Sequence, residues 1–144
     1  MTLLALTDIE PGLVAWMDTA TLLRDARTRT SYTGKPFRTG PFLCVGVGPN
    51  ATCWLTLTRR TNKHGSRFLI LPEWRTGGPL GWRDRDEYCN DLRQPYIWRD
   101  VVFLAASHVA DSHRPAAGWP RVTAEGLAAI RARMEYFHSW PWPY

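Results

Sequence analysis

PFLCVGVGPNATCWLTLT, residues 41–58, reads as two strands around a turn, and the rest of the chain can be placed from it. Residues 41–47 (PFLCVGV) are apolar and bounded by Gly48, Pro49 and Asn50, a turn signal. Residues 51–58 (ATCWLTLT) then return as a second strand, giving a β-hairpin. Successive side chains of a strand point to opposite faces. Cys53, Leu55 and Leu57 therefore share one face, with Thr52, Trp54, Thr56 and Thr58 on the other. The spacing leaves the Thr58 face available to line a groove.

Outward from the hairpin, residues 12–18 (GLVAWMD) form a short apolar run consistent with a buried strand. Residues 19–40 follow with four Arg, one Lys and six Thr. Their first part, TATLLRDAR, suits a short helical turn, and the remainder to Gly40 reads as an extended basic loop, a length that usually signals function or disorder. After the hairpin, residues 59–65 (RRTNKHG) read as a polar turn and residues 66–74 (SRFLILPEW) as a fourth strand. Residues 75–86 (RTGGPLGWRDRD) read as loop, residues 88–98 and 101–107 as one or two further strands, and residues 111–121 as a Pro/Gly-rich link. Thr123 suits an N-cap with Glu125 in the first turn. Leu127, Ile130, Met134 and Phe137 then recur as one helical stripe, predicting an amphipathic helix over about 123–138. Prolines 141 and 143 end it, leaving a tail at 139–144. The expected class is α+β, mainly β, with residues 1–144 in one domain.

The formal charge of +5 is unevenly spread. Nine Lys and Arg side chains between Arg24 and Arg67 face the single acid Asp25, a local net of +8, while residues 68–144 balance nine bases against nine acids. A localised positive field draws a polyanion to one part of the surface, and nucleic acid is the expected one. Arg outnumbers Lys sixteen to two, and the guanidinium fork suits bidentate phosphate contacts.

Other classes find little support. No run of 18 apolar residues exists, and the opening MTLLALTDIEPG lacks the features of a signal peptide, so a cytoplasmic protein without a membrane span is expected. Three cysteines (Cys44, Cys53, Cys89) without CxxC spacing read as small buried hydrophobes. His108 and His113 are five apart and do not make a plausible ligand set with their neighbours, so neither a metal site nor a cofactor is expected. No Gly-rich phosphate loop or GxSxG elbow occurs.

Within the basic stretch, Arg27, Arg29, Lys35, Arg59, Arg60, Lys63 and Arg67 are candidate phosphate contacts. Tyr32 and Phe37 lie among them and could stack unpaired bases, or could equally pack their loop onto the body. Trp74 and Trp82, beside Arg75 and Arg83, admit the same two readings. His64 titrates near neutrality and is a candidate acid or base, against the alternative of a solvated loop His. Thr58 is either a charge-stabilising donor or a strand-end hydroxyl bonding the next turn.

The order of these segments resembles the PemK/MazF family of toxin endoribonucleases. The resemblance rests on residues 12–18 as the opening strand, 41–45 as the strand that starts at its Pro, and 54–58 as the strand that ends in Thr. It continues through 67–71, 91–98 (DLRQPYIW) and 122–130 (VTAEGLAAI), which is similar to the last helix. It implies a small SH3-like β-barrel with a C-terminal helix, a homodimer, and cleavage of single-stranded RNA in a basic groove without metal. It also implies an antitoxin partner, and it puts Thr58 at the family's catalytic Thr. Where the family carries its catalytic Arg, directly before the Pro, this chain has Gly40, and Arg38 is the nearest substitute. The acid common in the preceding loop is absent. Two rivals stay open: a non-catalytic nucleic-acid-binding module on the same barrel, and a protein-interaction factor that binds an acidic partner.

Overall fold

Strand β4 (Thr52–Thr58) is the centre of the molecule in the computed structural model, which describes residues 5–30, 39–49, 51–59, 67–78, 80–90, 92, 96–99 and 118–137. On one side it forms the expected hairpin with β3 (Thr39–Val47), in register from Phe42↔Thr56 to Val47↔Thr52 with a bulge between Cys44 and Gly46. Beyond β3 lies β1 (Val14–Asp18), antiparallel, with Trp16 opposite Pro41 and Met17 opposite Gly40.

The other edge of β4 is shared between two strands. Thr52, Cys53 and Trp54 pair with β8 (Tyr96–Trp98), which in turn pairs with β2 (Arg29–Thr30). Leu57 and Thr58 pair instead with β7 (Glu87–Cys89), which pairs with β5 (Phe68–Ile70). A second, two-stranded sheet joins β6 (Arg75–Thr76) to β9 (Arg121–Val122). Every pairing is antiparallel, and among the described residues the sheet path does not close on itself. The fold is α+β and mainly β, with helix α3 (Ala124–Phe137) at its C-terminal end.

Period-two alternation distributes the apolar residues over two cores, one on each face of the sheet. Leu13, Ala15, Met17, Phe42, Cys44 and Trp54 meet Trp98 and Trp119 on the first face. Val14, Leu43, Val45, Cys53, Leu55 and Leu57 meet Ile70, Trp82 and the helix residues Leu127, Ile130 and Met134 on the second. Trp54 is therefore interior, stacked on Trp98 at 4.9 Å. Of the face that carries Thr52, Trp54, Thr56 and Thr58, only its Thr58 end is therefore open to line a groove. Alternation fixes which residues share a face, whereas the distant Trp98 and the neighbouring Phe42 decide that the face is covered.

The stripe Leu127, Ile130 and Met134 is buried as the sequence predicts, and the Phe137 side chain lies outside the described residues. Thr123 caps α3 by accepting the Gly126 N–H at 3.2 Å. Arg131 donates Nε to the Val45 carbonyl at 2.7 Å, tying the helix to β3. At Gly126 the helix comes so close to Trp74 that an added Cβ would lie 2.6 Å from its ring carbon.

Several sequence boundaries move. The 66–74 segment is strand only over Phe68–Ile70, because Pro72 opens a 3-10 turn, Pro72–Trp74. The 75–86 loop contains β6 and a five-residue helix α2 (Leu80–Asp84), both too short to show a period. The 19–40 loop begins with helix α1 (Thr19–Arg24), capped by Asp18, and includes β2. Residues 101–107 and the 139–144 tail lie outside the described residues. None of the three cysteines is in a disulfide and all are buried, and burial pushes the Cys89 thiol up to about 12. Among the described residues no helix is long and apolar enough to cross a membrane.

Candidate functional site

At the C-terminal end of β4 the chain opens a cleft of about 370 Å³. Leu57, Thr58 and Arg59 line it from the end of β4, Trp16 and Pro41 from the β1–β3 pair, and Trp82 and Glu87 from α2 and β7. The topology dictates this convergence. The pairing Trp16↔Pro41 puts β1 and β3 at one wall, and Thr58↔Tyr88 brings β7 against the end of β4 so that Glu87 follows at the other.

Glu87 is 5% exposed and its Oε1 accepts a 2.7 Å hydrogen bond from Arg59 Nε. Arg59 itself stays on the rim, with 47% of its side chain exposed. Buried Arg75 organises the wall behind. Its Nη1 donates to the Trp82 carbonyl at 2.8 Å and to the Arg85 carbonyl, and its guanidinium lies 5.8 Å from the centre of the Trp82 ring. Those bonds satisfy carbonyls at the end of α2, and the Trp82 Nε1–H donates to the Thr76 carbonyl at 3.0 Å. The result is a fixed Trp82 beside a buried carboxyl and a partly exposed cation.

Burial raises the Glu87 carboxyl above its ordinary range, and the nearby cations Arg59, Arg75 and Arg85 pull it down without cancelling the effect. A folded-state value above the unfolded one favours the protonated form, so this contribution is fully present below the unfolded value and is lost as the pH rises through the folded one. Glu87→Gln is therefore expected to gain melting temperature relative to the native protein as pH is raised from 4 to 8. Paired thermal melts across that range check this, and a Gln variant that falls steadily behind above pH 5 contradicts it.

Of the residues expected at a site, Thr58 and Arg59 meet in this cleft. Arg67 does not line it; its Nη2 donates to Asn90 Oδ1 at 3.1 Å, beside β7. Arg27 is exposed after α1, near the bidentate pair in which Arg99 donates Nη2 and Nε to Asp25 at 2.7 and 3.0 Å. Those bonds hold the Asp25 carboxyl below its usual range. Arg29 lies in β2, with its side chain outside the described residues. Tyr32, Lys35, Phe37, Arg38, Arg60, Lys63 and His64 also lie outside the described residues, as do His108 and His113. Among the described residues no group of three or more His, Cys, Asp or Glu side chains is placed to hold a metal ion. Trp74 stacks on Phe68 at 6.3 Å and belongs to packing, away from the cleft.

Glu87, Trp16 and Pro41 escaped notice as site residues. Glu87 sits in the half of the chain whose charges balance, next to a loop rich in acids and bases, and only the β4–β7 pairing distinguishes it from them. Gly40, the position before Pro41, lies on β3 next to the cleft wall. Comparison with protein-family models, with curated proteins and with solved structures finds no match for this chain.

Proposed function

We propose that the protein is a PemK/MazF-like endoribonuclease that binds single-stranded RNA across the cleft at the end of β4 and cleaves it there without metal. The observation that carries this reading is the meeting of Thr58, Arg59 and the buried carboxyl of Glu87 in one cleft beside Trp16 and Trp82. Cleavage of RNA through its 2′-hydroxyl needs a proton acceptor, a proton donor for the leaving 5′-oxygen, and donors for the charge that builds on phosphorus. Thr58 and Arg59 suit the last of these, with Arg38 and His64 as further candidates on the flanking basic segments. The aromatic rings suit stacking of unpaired bases.

The proposal extends to a small SH3-like barrel, to which the division of the β4 edge between β7 and β8 lends support. It also includes a homodimer and an antitoxin whose acidic segment covers the cleft, both carried by the resemblance alone.

Gly40 beside Pro41, in place of the family's Arg, favours a second reading: a nucleic-acid-binding module on the same scaffold that cuts nothing. Incubation of the purified protein with mixed-sequence RNA in EDTA separates the two. Fragments with 5′-hydroxyl ends are expected, formed about 100-fold more slowly by Thr58→Ala and by Arg38→Ala. Intact RNA with salt-sensitive binding supports the second reading. Binding no stronger than that of a charge-matched control protein points to an acidic protein partner and overturns both.

A further inference from the structure

We propose that Glu87 is the general acid of the cleft, delivering the proton that the leaving 5′-oxygen takes up when RNA is cut; the assignment rests on the endoribonuclease reading given above. Three features of geometry carry it. The carboxyl is 5% exposed yet lines the cleft, so it meets a bound ligand and little bulk water. Arg59 engages Oε1 through Nε at 2.7 Å, leaving Oε2 as the oxygen that carries the proton. Because Arg59 is also on the rim, a phosphate gripped by its remaining N–H groups is held beside the carboxyl by one planar guanidinium.

Burial favours the protonated form of Glu87 against the cations that face it. Arg59 faces it from the end of β4, Arg75 from β6 and Arg85 from the turn after α2, while its register partner on β5 is the apolar Ile70. All three charged neighbours are cations and favour the carboxylate, but burial outweighs them and the proton is retained to higher pH.

The 2′-oxygen forms a bond to phosphorus as its proton passes to water, the bond from phosphorus to the 5′-oxygen breaks, and the proton on Glu87 Oε2 moves to that oxygen. The products are a 2′,3′-cyclic phosphate and a 5′-hydroxyl, and Glu87 is reprotonated from solvent. Thr58 and Arg59 hold the charge on the phosphoryl oxygens meanwhile.

A sulfur leaving group needs no proton, so an RNA with a single bridging 5′-phosphorothiolate tests the assignment. Glu87→Gln is expected to cleave the ordinary linkage about 100-fold more slowly than the native protein and the sulfur linkage at nearly the native rate. The ratio of the two rates, which does not depend on how much of the variant is folded, then rises by about the same factor. In the native protein, the oxygen linkage alone is expected to lose rate as the pH rises through the Glu87 transition, and this comparison needs no variant. Equal losses on both linkages, or no loss on either, overturn the role of Glu87 while leaving the endoribonuclease standing. Failure of the native protein to cut either linkage overturns the endoribonuclease as well.

Discussion

Trp54→Ala is expected to cost about 3–5 kcal/mol of folding stability, the largest effect of any single side chain described above. Its ring is fully buried and stacks on Trp98 at 4.9 Å with 15° between the planes, and Trp98 meets Phe42 edge-on at 5.4 Å. Truncation opens a void on one face of the central strand, where β4, β3 and β8 all contribute, and collapse from only one side cannot fill it. It also removes the Nε1–H that Trp54 donates to Thr52 Oγ1 at 2.7 Å. Urea unfolding followed by circular dichroism should show this loss, and the melting temperature should fall on the order of 10 °C. A cost below about 1 kcal/mol would mean that the first core is not organised around this stack.

Gly12→Ala is expected to cost roughly 2–4 kcal/mol, by a different mechanism. Gly12 has φ +101°, a region that side chains rarely enter, and a Cβ there would lie 2.5 Å from the Val122 carbonyl oxygen. The obstacle is backbone and cannot swing aside. Gly12 N–H donates to the Cys44 carbonyl at 2.8 Å and its own carbonyl accepts from Val122 N–H at 2.8 Å, so relief of the clash breaks a junction between the two sheets. Gly118 offers a control, having φ +91° with no atom within 4 Å of an added Cβ. Gly118→Ala should show the conformational strain without the clash. Thermal melts of both variants test the distinction, and equal losses would contradict it.

The parts of the fold that were legible in the sequence are those long enough to show a period or bounded by strong signals. The 41–58 hairpin carries alternation and a Gly-Pro-Asn turn, the 12–18 strand lies between Pro-Gly and Asp, and the last helix has a cap and a stripe at spacings 3, 4 and 3. Elements of two to five residues, such as β6, α2 and β7, fall below the length at which a period can be read. Their positions come from long-range pairing, which no local pattern encodes.

The same limit applies to the site. Thr58 and Arg59 were legible because they end a readable strand inside a basic stretch, whereas the place of Glu87, 28 residues beyond Arg59, depends on β7 pairing with that strand. Trp82 drew attention only as an aromatic beside an Arg. Its place in the cleft wall is set by Arg75, which binds the end of α2 from another strand. The basic stretch thus reaches the cleft, and the buried acid that lines the cleft is placed there by tertiary structure.

RNA held at the mouth of this cleft by Arg59 gives a binding affinity whose salt dependence includes the Arg59 contact. Fluorescence anisotropy with a short unstructured RNA, measured over a series of salt concentrations, compares the native protein with Arg59→Gln and with Arg133→Gln, which removes the same charge from α3. Arg59→Gln is expected to bind about tenfold more weakly, with a slope of log affinity against log salt that is shallower by about 0.7, while Arg133→Gln follows the native line. An Arg59→Gln variant with native affinity and native slope would place RNA elsewhere and contradict the account.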